Sequence, residues 1–329
     1  MKIIPSKIED SPRRDVHIDI LKGLLVIQMI FAHCLQINGT GDYYGISPIA
    51  NTVSFTGFTF CFGFATWKAY FSKSEIKYVK AIKTSIKCLL AYFISAIFHE
   101  VVRKGSGLSS ILDILSFKIL AGYSEFLLSF SLMIFIPIVF RRFIDISTNN
   151  EISLLIASAA CSISTFYHPA APHPLLGSLI GGDNFSYFPV ISYFPIFMAG
   201  VYTSKKGRLP LAFCAIGFIS LAFRLLLDQG NISRFPPSLW WVASSFGGLI
   251  FYIILTNTIV RSRIRFLINA LKVVGENVLA YLLLSNIIIF TFSRSGYTGR
   301  ETKTTFAIYA LVMGATIFVL NLISRRPSK

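Results

Sequence analysis

The sequence predicts an all-α fold, a polytopic integral membrane helix bundle of about ten transmembrane helices, and three observations predict it. Of the 329 residues, 54% are hydrophobic and 14% charged, whereas soluble domains carry roughly 25% charged residues. The apolar residues gather into ten runs, each long enough to cross a hydrocarbon core of about 30 Å. The basic residues, which give a formal net charge of +16, cluster in the short connections between those runs. Residues 13–329 therefore read as one membrane domain after a polar cytoplasmic tail at 1–12, with no connection long enough to hold a soluble domain.

The first run, 18–38, carries Asp19 and Lys22 near its start and His33 near its end. It keeps its charges where a spanning helix keeps them, so no cleavable signal peptide is expected. The second, 46–71, is rich in aromatic residues, and the third, 79–101, closes on His99 and Glu100. A short apolar segment at 108–120 contains Asp113 and Lys118 and reads as an interfacial helix. The fourth run, 123–140, opens at Glu125, and the fifth, 152–168, closes at His168. The loop 169–188 has three prolines, three glycines and no Lys or Arg, the composition of an ordered outer cap. The remaining runs are 186–203, 209–228, 238–259, 273–293 and 304–323, with Arg234 in a helix-start turn before the eighth.

Charge orients these runs. With the N-terminus inside, the cytoplasmic connections hold 16 basic residues and the outer ones 7, which satisfies the positive-inside bias and places both termini in the cytoplasm. The same clustering argues against a nucleic-acid partner, because no basic stripe lies on a soluble segment. The expected partner is the lipid bilayer. The five cysteines, Cys34, Cys61, Cys88, Cys161 and Cys214, lie in or at the ends of apolar runs without metal-ligand spacing. They read as reduced packing residues, and no metal site is expected.

Ionisable groups within a membrane are costly and usually retained for a purpose. Asp19, Lys22 and His33 are spaced by 3 and 11 residues, close to whole helical turns, so one helix face holds all three. Lys22 and His33 are about 16 Å apart along the axis, with Lys22 toward the cytoplasm. Asp19 is too distant for a dyad with His33 and is expected to pair with Lys22 or Arg14. An imidazole titrates near neutrality, so His33 suits a general base; the competing reading is an interhelical hydrogen bond. Snorkelling competes for Lys22. Glu100 has the membrane depth to orient His33. His99, His168, His173, Glu125, Asp183, Arg224, Asp228 and Arg234 also collect at outer ends. Gly63, amid the aromatic residues, permits close backbone approach, for packing or for a ligand.

Three patches resemble one family. Asp19-x-x-Lys22-Gly23 followed by His33 looks like the N-terminal signature of membrane acyltransferase family 3, an acid preceding Arg-x10-His. Gly57 to Phe64, GFTFCFGF, resembles that family's aromatic segment before a Ser-Gly-Phe. Gly275 to Leu282, GENVLAYL, is similar to a late-helix segment shared with the related heparan-glucosaminide acetyltransferase type. Lys22 stands where the family has arginine, which loses the planar two-pronged donor. Cys61 or Phe62 replaces the serine, Tyr281 comes one residue early, and Ser285 stands where many relatives have histidine.

The resemblance implies transfer of an acyl group, most often acetyl, from cytoplasmic acyl-coenzyme A to a sugar hydroxyl of a glycan or glycolipid, in a bacterial cytoplasmic (inner) membrane. With that chemistry, His33 is the expected catalytic base and Glu100, by membrane depth, its candidate catalytic partner; Lys22, Arg14 and Gly63 are the candidates to hold the acetyl-CoA donor, and His99, His168 and Arg234 to meet the acceptor. No tightly bound cofactor is expected. Direct transfer and a covalent acyl-histidine both fit the residues. A proton-coupled transporter is the competing class.

Overall fold

A computed structural model of the chain describes residues 15–38, 46–72, 77–166, 173–182, 188–228, 234–294 and 302–324. Among these residues there are helices and turns and no strand. In chain order the helices are α1 (Val16–Asn38), α2 (Ile46–Thr66), α3 (Tyr78–Ile97), α4 (Ser109–Leu115), α5 (Glu125–Val139), α6 (Arg141–Ser147) and α7 (Glu151–Ser162). They continue with α8 (Pro174–Ile180), α9 (Val190–Lys206), α10 (Leu211–Phe223), α11 (Leu239–Ser262), α12 (Arg265–Glu276), α13 (Val278–Arg294) and α14 (Thr302–Ser324). Single π-helical segments extend α2 over Trp67–Phe71, α3 over Phe98–Arg103 and α10 over Arg224–Asp228; segments of this kind recur at functional sites.

Each of the ten apolar runs contains a helix, and the interfacial segment contains α4. How many cross a membrane is a narrower matter. Among the described residues, four helices, Val16–Ile37, Tyr78–Arg103, Leu239–Ser262 and Lys303–Leu322, are long and apolar enough alone. Two bent pairs, α5 with α6 and α12 with α13, raise the number to six if each pair is one span. Glu151–Thr165 and Leu211–Leu226 are apolar but shorter, so this measure does not reach ten.

One bend corrects an expected run, and the other falls where a run was expected to end. The run 273–293 is not one helix: the chain turns by 80° between α12 and α13. Asn277 leaves helical geometry at φ −117° and ψ 28°, and its side-chain amide donates to the Val273 carbonyl at 2.9 Å. An asparagine competes with the backbone in this way and ends the helix it caps. The run 123–140 ends in a 90° turn into α6 at Phe140, three residues after Pro137. Proline removes an intrahelical donor, which weakens this last turn.

Helix α1 lies at the centre. Asp15 caps it by accepting from the N–H groups of His17 at 3.0 Å and Ile18 at 3.4 Å. It packs against α2, α11, α12, α13 and α14. Its apolar window is 72% buried, against 22% for α14 at the periphery, and its Asp19 and His33 are buried in protein. Glycines let its neighbours in. A Cβ at Gly23 would collide with the Leu271 carbonyl, and one at Gly275 with the Asp19 carbonyl. The same reciprocal arrangement joins α2 to α9, Gly63 against the Phe197 carbonyl and Gly200 against the Phe60 carbonyl. Small residues at both crossings bring backbones into contact where a larger side chain has no room.

Candidate functional site

Helix α1 delivers His33, 8% exposed, to the interior. Its Nδ1 lies 3.1 Å from Oδ1 of Asn286 on α13. The Nδ2 of the same amide faces the Tyr123 carbonyl at 3.1 Å and Ser95 Oγ at 3.3 Å. A carbonyl only accepts, so Tyr123 orients the amide with its NH2 toward itself and its oxygen toward His33. That oxygen also only accepts, so Nδ1 of His33 carries the hydrogen and donates it. In the neutral ring the lone pair then belongs to Nε2, which has no hydrogen-bond partner among the described residues. Ser124 Oγ donates to Ser95 Oγ at 2.9 Å and closes the network. Tyr123 adopts φ of 66°, an uncommon left-handed conformation for a residue other than glycine. Backbone held there concentrates at functional positions, and here it aims the carbonyl that sets the relay.

A second buried histidine is committed differently. His99 Nδ1 lies 3.1 Å from Glu100 Oε1, and its Nε2 lies 3.0 Å from Arg103 Nη1. The carboxylate accepts and the guanidinium donates, so both ring nitrogens are occupied. Lys104 Nζ is 2.9 Å from the same Glu100 oxygen, and Ser106 Oγ donates to the other at 3.4 Å. Glu100 therefore serves His99 and Lys104, and the orienting partner expected for His33 is Asn286 instead. The two imidazoles flank the Tyr123 ring at 5.1 and 5.9 Å, and the Arg103 guanidinium lies 5.1 Å from that ring centre.

Two more charges complete the neighbourhood. Glu125 is buried at the start of α5, where its Oε2 accepts from the Ser124 N–H at 2.9 Å; its Oε1 and the His99 ring both border Gly122. Arg234 lies 4.4 Å from the Phe235 ring centre and 6.0 Å from that of Trp241. Arg224 braces this end by stacking 4.1 Å over Trp241 and donating to Thr52 Oγ1 at 3.1 Å. The fold thus gathers His33, His99 and Glu125 from three separate parts of the chain.

Toward the other end of α1, Lys22 Nζ pairs with Asp19 Oδ1 at 2.6 Å, with side chains 22% and 5% exposed. The expected partnership is present, and Asp19 Oδ2 is buried without a hydrogen-bond partner among the described residues. Beside Gly63 the Phe197 carbonyl occupies the space a side chain would need. Arg14, His168 and Asp183 lie outside the described residues. His173 caps α8 by accepting from the Leu175 N–H at 3.2 Å. A cleft of about 330 Å³, lined by Leu24, Gln28, Phe31, Tyr252 and Tyr309 among others, opens beside the face of α1 away from His33. Among the described residues no cluster of His, Cys, Asp or Glu is arranged to hold a metal ion.

Sequence reasoning passed over Asn286, Tyr123, Ser95 and Ser124. One signal pointed to the first: Asn286 is the lone side-chain amide in α13, a helix whose residues are mostly apolar, and a polar group at membrane depth invites a search for its partner. No family model and no curated protein matches the chain.

Proposed function

We propose that the chain is a membrane-bound acyltransferase that moves an acyl group, acetyl in the first instance, from acyl-coenzyme A to a sugar hydroxyl of a cell-surface polysaccharide or lipopolysaccharide. What carries this reading is the relay from the Tyr123 carbonyl through Asn286 to His33, which leaves an unprotonated Nε2 without a partner among the described residues. In the proposed reaction Nε2 takes the hydroxyl proton as the sugar oxygen attacks the thioester carbonyl. The C–O bond forms, the C–S bond breaks, and the proton passes to the departing coenzyme A sulfur, which returns His33 to its starting state. Arg234 is assigned to the negative charge that develops on the carbonyl oxygen. An acyl-histidine route would use the same lone pair.

Lys22 and Arg14 are assigned to the donor phosphates, with Lys22 released from Asp19 or shared with it when the donor arrives. His99, His168 and Arg234 are assigned to the acceptor. The layout proposed around them is ten spans in a bacterial inner membrane, both termini cytoplasmic. The test is purified protein supplied with acetyl-CoA and surface glycans. Release of coenzyme A matched by glycan acetylation, and lost in His33→Ala, supports the assignment; acetyl transfer at an unchanged rate in the variant refutes it.

A second reading, a proton-coupled transporter, draws on the buried ionisable groups His33, His99, Glu100 and Glu125. Substrate flux into vesicles without acyl transfer would favour it.

A further inference from the structure

Helix α12 differs in kind from the apolar helices around it. Its residues divide into three stripes at i, i+4, i+7 spacing, each stripe one face of the helix. Leu267, Leu271 and Val274 form the first, flanked by Gly275, whose backbone touches that of Asp19; of these, Leu271, Val274 and Gly275 are buried. Phe266, Ala270 and Val273 form the second, exposed and apolar, with Phe266 85% exposed. Arg265, Asn269 and Lys272, followed by Glu276, form the third, which is polar. A helix with one side against protein, one apolar side uncovered and one polar side uncovered suits a boundary between hydrocarbon and water. The chain's course agrees, because α12 follows the candidate span α11 and meets α13 at 80°.

The approach to this helix is basic. Arg261, Arg263 and Arg265 lie within five residues, all exposed, interleaved with exposed Ile264 and Phe266. None of the three guanidinium groups pairs with a carboxylate among the described residues, whereas Lys272 is within 3.8 Å of Glu276. Guanidinium is the side chain best matched to phosphate, and a basic segment beside buried apolar anchors is held by anionic headgroups.

We propose that α12 and the turn before it form a lipid-binding surface: Phe266 and Val273 enter the hydrocarbon, and Arg261, Arg263 and Arg265 bind the phosphates of anionic phospholipids. The surface is coupled to the candidate site by backbone contact. The buried stripe of α12 rests on α1 at Asp19 and Gly23, next to the Asp19–Lys22 pair, so seating α12 in the interface fixes the inner end of the helix that bears His33.

The test uses the full-length protein in nanodiscs of equal parts phosphatidylcholine and phosphatidylglycerol, with co-purifying lipid counted by native mass spectrometry. Wild type is expected to retain phosphatidylglycerol preferentially. The variant R261Q/R263Q/R265Q is expected to lose that preference, about fivefold per arginine, the equivalent of about 1 kcal/mol for each cation near the surface. The control K80Q/K83Q/K87Q removes the same charge from exposed positions on α3 and is expected to retain it. Inorganic phosphate added to the detergent-solubilised protein should not displace the lipid. Equal retention by wild type and the arginine variant, an equal loss in the lysine control, or displacement by inorganic phosphate would each overturn the proposal. The readout is lipid, so it stands whether or not acyl transfer is found.

Discussion

His33 and Asn286 show how a single hydrogen bond decides which chemistry a residue can perform. Without the Tyr123 carbonyl, the Asn286 amide could present either end to the imidazole; with it, only the oxygen faces His33. Asn286→Leu removes the acceptor, frees the tautomer and leaves the Tyr123 carbonyl without its side-chain donor. Transfer is expected to fall about 10–100-fold, the range seen when an orienting partner of a histidine is lost, with the fall in kcat and little change in KM. Asn286→Asp keeps an acceptor for Nδ1 and is expected to retain more activity than Asn286→Leu; equal kcat in both variants would show that orientation is not the residue's role. The sequence made His33 legible because its neighbours on α1 fall at helical spacing. It could not reveal Asn286 as the partner, since 253 residues separate the two and only tertiary packing joins them. Glu100 was the natural guess by depth, but depth does not say which way a side chain points, and Glu100 turns to His99 and Lys104.

At the scale of elements, apolar runs mark helices well and mark their ends and breaks poorly. Hydropathy is a sum over many residues, whereas one asparagine ends α12. Replacing that residue, Asn277→Leu, removes the cap and is expected to cost about 0.5–2 kcal/mol, by analogy with helix-capping losses, read as a lower unfolding temperature in detergent. Glycines raise the complementary problem: sequence shows that backbones can approach, not what approaches. Gly63 packs on Phe197 rather than on a donor. Gly63→Leu is therefore expected to destabilise the α2 and α9 crossing by about 1–3 kcal/mol, typical of overpacking, again as a lower unfolding temperature. A selective rise in the KM for acetyl-CoA without loss of stability would return Gly63 to the donor site.

For the whole molecule, the basic connections support the proposed direction, N-terminus inside, which length and hydropathy alone do not address. Four to six helices qualify as spans by those two measures, while charge balance is satisfied by ten. The layouts separate at the loops. In the ten-span arrangement a membrane-impermeant thiol reagent added outside intact cells labels Ser106→Cys but not Asn149→Cys, and both label after lysis. Labelling of Asn149→Cys in intact cells would contradict the alternation between α5 and α7.

The central claim is that His33 is the base of an acyl transfer, and parallel assays of wild type and His33→Ala, matched for membrane yield, test it most directly. Coenzyme A release from acetyl-CoA in the presence of surface glycan is expected to proceed in wild type and to slow by at least about 100-fold in the variant, the smaller end of what general-base catalysis supplies. Release at the wild-type rate by His33→Ala, with acetyl still arriving on the glycan, would contradict it.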